Sequence, residues 1–98
     1  MKDKMHLGAR VPNEGARKLA RWIGEQCRGD MTLAAIRLAT APSYLQRLLS
    51  GEITPGENLA ERIGRGTVYR IARRDWQLPA VAGWFEQADA DEATRWAA

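Results

Sequence analysis

The 98-residue chain has one cysteine, one histidine and one phenylalanine. A single cysteine, Cys27, excludes an intrachain disulfide, and its place on an apolar helical stripe reads as a buried structural thiol. His6 has no cluster of potential ligands around it, so no metal is expected. No run approaches the roughly 20 apolar residues of a membrane span, and the opening MKDKMHLGARVPNEG lacks the apolar core of a signal peptide. A soluble, cytoplasmic protein without a membrane partner is expected. Nucleophile–base pairings, metal-ligand spacings and phosphate-cradling glycine loops are missing too, so neither an enzyme nor a cofactor is expected. Internal repeats and low-complexity segments are absent.

Apolar residues make up 45% of the chain, enough for one modest core. Lys and Arg number 15 against 12 acids, for a net charge of +3. The distribution is uneven. Residues 86–98 carry Glu86, Asp89, Asp91 and Glu92 against Arg95, which leaves residues 1–85 at +6. The stretch 62–74 holds Arg62, Arg65, Arg70, Arg73 and Arg74 and no acid. A basic face of this kind suits an anionic partner such as nucleic acid.

Residues 1–12 read as a flexible basic arm, with Lys2, Lys4 and Arg10, either a frayed terminus or a segment that touches a nucleic-acid backbone. Asn13 is a cap for a first helix, whose Ala16, Leu19, Ala20, Ile23 and Cys27 share one face, with Arg17, Lys18, Arg21 and Arg28 off it. Gly29 ends that helix and Asp30 caps a second over about 31–38. A break at Ala39-Thr40-Ala41 precedes a third helix with Pro42 in its first turn and Gly51 as its stop. TPGE at 54–57 has the pattern of a capping box, with Thr54 as the cap. The fourth helix has Leu59, Ala60 and Ile63 inside and is expected to break at Gly64 and Gly66. TVYRI at 67–71 is β-branched and aromatic, the composition of a short strand. Residues 79–98 form a C-terminal extension; the stripe of Leu78, Val81, Trp84, Phe85 and Ala88 suggests one or two further helices over 80–97, weakened by Gly83.

The third helix carries the functional signal. Leu45, Leu48 and Leu49 point to one side; stepping about 100° per residue puts Ser43, Gln46, Arg47 and Ser50 around the other. That outer face has donors, acceptors and one long cation, and no acid to repel phosphate. On its own such a face is also what any solvated helix shows. In the preceding helix, Ala34 and Ala35 provide a joint without bulk, where a Leu would overpack the crossing by about 1–3 kcal/mol.

Taken together, MTLAAIRLATAPSYLQRLLSG resembles the helix-turn-helix of the Cro/CI-like (XRE) repressors of phages and mobile elements. The likeness extends from about Leu19 to Trp76, and the closing GTVYRIARRDW is similar to small Cro/YdaS-like regulators. It implies a mostly α, compact, lambda-repressor-like domain of four to five helices over residues 13–78, with a short C-terminal strand. Ala35 would be the small contact residue, Leu38 its core partner, and Leu45 and Leu48 the anchors of the recognition helix. Ser43, Gln46 and Arg47 match base-reading positions. Tyr44 and Ser50 match phosphate-touching positions, and Thr32 and Thr40 lie at helix N-termini whose N–H groups meet phosphate. Three positions depart from the pattern: Met31 stands for the usual Gln, Ala39 for the Gly of a left-handed turn at a cost of roughly 1 kcal/mol, and Ala41 for the usual Ser cap, with Thr40 as a substitute.

The function implied is a sequence-specific DNA-binding regulator, a dimeric repressor on a palindromic double-stranded operator. Arg62, Arg65 and Arg70 join the phosphate candidates, with Arg73 and Arg74 beside them. Val68, Tyr69, Ile71, Trp84 and Phe85 are the dimerisation candidates, although Trp84, Phe85 and Trp96 are equally compatible with intramolecular packing. Leu33 and Ile36 fall on the outward side of the second helix, which suggests a cover by the N-terminal segment, the C-terminal helix, a second subunit or another protein. Two alternatives stay open: an antitoxin-type regulator that binds a protein toxin, and a helix-turn-helix interaction module without DNA binding.

Overall fold

The computed structural model describes residues 4–86. Four α-helices follow one another: α1 (Glu14–Gln26), α2 (Met31–Leu38), α3 (Pro42–Leu49) and α4 (Glu57–Gly66). A 3₁₀ helix at Arg73–Gln77 closes against α1 and α4. Among the described residues there is no sheet; the β-type pairing present is an isolated antiparallel bridge between Lys4 and Asp30.

The first three helices begin and end where local chemistry places them. The Asn13 side chain accepts from the Ala16 N–H at 2.7 Å and starts α1. Asp30 does the same for α2 through the Thr32 N–H at 3.0 Å. Ala39 ends α2 in the left-handed region, at φ 54° and ψ 49°. Pro42 opens α3, and Gly51 follows it at φ +77°. No side chain caps α3, so Thr40 does not replace the missing Ser there. The fourth helix starts later than TPGE suggests: its cap is Gly56, not Thr54, and its first residue is Glu57. Gly64 does not break it: α4 runs through Gly64 and ends at Gly66, with Thr67 as its C-cap.

One apolar core joins all of these elements. It includes Leu19 and Ile23 from α1 and Cys27 at its C-cap, Met31, Ala34, Ala35 and Leu38 from α2, Leu45, Leu48 and Leu49 from α3, Ala60 and Ile63 from α4, then Ile71 and Trp76. Burying each Leu or Ile contributes about 1.5–3 kcal/mol. Cys27 lies wholly inside; burial pushes its thiol pKa up, against a smaller opposing effect of the Arg37 charge.

The expected strand at 67–71 is a turn. Thr67 is buried, and its hydroxyl donates to the Ile63 carbonyl at 2.8 Å. The Tyr69 N–H donates to the Gly64 carbonyl at 2.6 Å. These bonds wind the chain off the end of α4 and force two consecutive non-glycine residues, Val68 (φ 55°) and Tyr69 (φ 59°), into left-handed conformation. The β-propensity of TVYRI had no partner strand to act on; propensity of that kind is realised only against a neighbouring strand. The expected helix after residue 79 is likewise absent over 80–86, which form bends and a turn. Ala88 and Trp96, and the acidic Asp89, Asp91 and Glu92, lie outside the described residues.

Arg17 is the main surprise of the core. It sits off the apolar stripe of α1 yet is buried, in an ion pair with Glu14 at 2.8 Å. Its other guanidinium nitrogens donate to the carbonyls of Gly83 and Glu86, both at 3.2 Å. Residues 83–86 thus fold back over α1. Glu14 completes the tie by accepting from the Val81 N–H at 3.1 Å.

Candidate nucleic-acid interface

The outer side of α3 is built from the inside out. Leu45, Leu48 and Leu49 are fully buried and fix the helix rotation. Ser43 and Arg47 are exposed as a result, with Arg47 at 51% of its side-chain surface. Arg47 lies 3.5 Å from Glu52, which is itself exposed. Such a surface pair is worth about 0–1 kcal/mol, little enough for another anion to replace Glu52.

The turn leading into α3 is held by a cation. Arg62, on α4, donates to the carbonyl of Ala39 at 2.8 Å. The Thr40 N–H donates to the Ala35 carbonyl at 2.9 Å. A left-handed alanine is therefore fixed from both sides.

Other candidate residues have intramolecular roles. The Thr32 N–H is engaged by Asp30 and the Thr40 N–H by Ala35, so neither N–H is left pointing outward for a phosphate. Tyr44 is half-buried and packs on the core. The Ser50 hydroxyl donates to the Arg47 carbonyl at 3.1 Å. Arg65 pairs with Glu61 at 3.2 Å, Arg70 with Glu25 at 2.7 Å and Arg73 with Glu57 at 3.1 Å. The basic run 62–74 is therefore partly neutralised: Arg65 by Glu61 one turn earlier on α4, and Arg70 and Arg73 by Glu25 and Glu57 from other elements, which its local sequence does not reveal.

Gln46 has a partner that sequence reasoning missed. Its carboxamide oxygen accepts from the His6 N–H at 2.9 Å, and its amide nitrogen donates to the His6 carbonyl at 2.7 Å. The N-terminal segment runs beside α3 at this point. Lys4, His6, Met31, Pro42, Ser43 and Gln46 line one shallow cavity of about 240 Å³. A side chain bonded to the main chain 40 residues away leaves no signal in composition or periodicity.

The dimerisation candidates separate into inner and outer groups. Ile71 is wholly buried and is a core residue, not a contact surface. Trp84 is half-buried, and its indole N–H donates to the Gly8 carbonyl at 2.8 Å. Val68, Tyr69 and Phe85 are exposed, Val68 at 84%. The proposed Leu33–Ile36 pair also separates: Leu33 packs on the core, whereas Ile36 is 72% exposed.

Among the described residues, no cluster of His, Cys, Asp or Glu could hold a metal ion, and no helix is long and apolar enough to cross a membrane. Comparison with known protein families, with curated proteins and with solved structures gave no match.

Proposed function

We propose that this chain is a sequence-specific double-stranded-DNA-binding regulator of the Cro/CI-like helix-turn-helix kind, with α3 as the element that enters the major groove. One observation carries the reading: α3 turns its three leucines into the core and holds Ser43 and Arg47 outward, with no acid on the helix itself and the exposed Glu52 just beyond it as the acid beside Arg47. The left-handed turn at Ala39 and the small, buried Ala34 and Ala35 support it, because they let two short helices meet at close range.

In this reading Arg47 exchanges Glu52 for a guanine, donating to O6 and N7. Ser43 serves an adjacent base edge. Arg65 and Arg70, both exposed and paired with the half-buried Glu61 and the exposed Glu25, are able to turn to phosphate at little cost. Arg62 instead holds the turn that aims α3. A helix of eight residues reads few base pairs, so two copies on half-sites about 34 Å apart are expected. Val68 and Tyr69 are the contact proposed between them. A dimer placed on promoter DNA represses by excluding polymerase.

The test is selection of bound sites from a random duplex pool, followed by titration of the selected site. A palindromic consensus is the expected result. Failure to retain any duplex in dilute buffer would favour the second reading, a module that binds protein, such as an antitoxin-type surface. The exposed Ile36 and Val68 are the observation behind that alternative.

A further inference from the structure

The segment from Lys4 to Gly8 is extended, and its exposure alternates. Met5 and Leu7 are half-buried and pack on the core; Lys4, His6 and Gly8 are exposed. That is the period of a strand with one face in and one face out. The segment is fastened at three points: the bridge from Lys4 to Asp30 just before α2, the two bonds from His6 to Gln46 on α3, and the bond from Trp84 to the Gly8 carbonyl. From Lys4 to Asn13 it contains no acid.

A glutamine that reads adenine does so with both ends of its carboxamide, accepting from N6 and donating to N7. In this protein both ends of Gln46 are engaged by the main chain of His6. Bound to His6 through both atoms, the amide cannot present that same edge to adenine; only its second lone pair and second N–H remain.

We infer that Gln46 is a positioning residue, which clamps the main chain of His6 so that residues 4–8 and α3 form one two-element DNA-facing surface. Ser43 and Arg47 come from the helix, and Lys4 and His6 from the segment. Lys4, His6 and Ser43 line the same shallow cavity, so the two elements share one front. Lys4 supplies a phosphate contact at its edge. The inference rests on the DNA-binding reading above but assigns Gln46 a different task from that of a base reader.

The test combines a DNA-free measurement with duplex titration. Amide exchange at His6 is followed in the wild-type protein and in Gln46→Ala. Both proteins, together with Lys4→Ala and the double variant, are titrated with the selected duplex and a random duplex between 50 and 200 mM salt. The His6 amide is expected to exchange at least about tenfold faster in Gln46→Ala, with the thermal midpoint close to wild type. Gln46→Ala and Lys4→Ala should each weaken both duplexes alike. One lost phosphate contact lowers the salt slope by about 0.9, so the affinity lost between those two salt concentrations shrinks by about 3.5-fold. The double variant should bind no more weakly than Gln46→Ala alone.

Three results would overturn the inference while DNA binding stands. They are a His6 amide that exchanges equally fast in both proteins, a Gln46→Ala variant that relaxes preference at one base pair with Lys4→Ala additive to it, and tighter binding when either residue is lost. Wild-type protein that retains no duplex would overturn the DNA-binding reading first, and this inference with it.

Discussion

Gly15 lies directly beneath the indole of Trp76. A Cβ on residue 15 would fall against the ring atoms Cδ2, Cε3 and Cγ, inside any permitted contact distance. Two elements far apart in the chain, the first turn of α1 and the 3₁₀ helix, are thus pressed together at a point where only hydrogen fits.

Gly15→Ala should therefore destabilise the domain, even though alanine favours helices. Overpacking of this kind costs about 1–3 kcal/mol, more than the roughly 1 kcal/mol that alanine contributes over glycine in a helix interior. Urea denaturation should show a lower midpoint with an unchanged slope. A raised midpoint would show that the ring moves aside without cost.

The Arg17–Glu14 pair gives a larger effect. Arg17→Met keeps the aliphatic stem but leaves Glu14 buried without its partner, and removes the Arg17 bond to the Gly83 carbonyl and one of the two arginine bonds to the Glu86 carbonyl. Breaking a buried pair from one side costs about 3–5 kcal/mol. The loss should appear in denaturation, with proteolysis at 81–86 accelerated as that stretch comes away from α1.

Ala39→Gly should act in the opposite direction. At φ 54° an L-residue carries a cost of about 1–2 kcal/mol, and glycine's extra freedom in the unfolded chain returns about half of the benefit. A gain of about 0.5–1 kcal/mol is expected in the same denaturation assay. Ala39→Val should lose stability there.

Much of this architecture was legible locally, because its causes are local. Asn13, Asp30, Pro42 and Gly51 each act within a few residues, and the leucine spacing of α3 states its inward face directly. The misreadings have other origins. TVYRI has a strand's composition but folds as a turn because Gly64 and Ile63 supply carbonyls to Tyr69 and Thr67. Arg17 looks like a surface residue until residues 83–86 cover it. Gln46 looks like a free polar group until the chain 40 residues earlier lies against it. The turn at 67–71 is set by bonds within seven residues that composition does not show, whereas Arg17 and Gln46 depend on contacts between segments that no short window contains.

The turn after α4 makes a pH prediction. The Glu61 carboxyl is held below the usual carboxylate range, first by the Arg65 side-chain hydrogen bond and then by the Tyr69 hydroxyl at 3.1 Å. A group whose folded pKa is depressed stabilises the fold above its ordinary value and loses that contribution as pH falls towards the lowered one. Tyr69→Phe should move the Glu61 pKa upward in a carboxyl NMR titration. An unshifted titration would show that Tyr69 does not reach Glu61 in solution.

The account depends most on α3 offering Arg47 to the groove. Arg47→Ala, titrated against the selected duplex and against random duplex, tests this directly. The substitution should leave the thermal midpoint near wild type, since the residue's ion pair to Glu52 is at the surface. Affinity for the selected site should fall by about 1–3 kcal/mol, with preference relaxed at a single base pair. Unchanged affinity for the selected site would contradict the claim that this helix reads DNA.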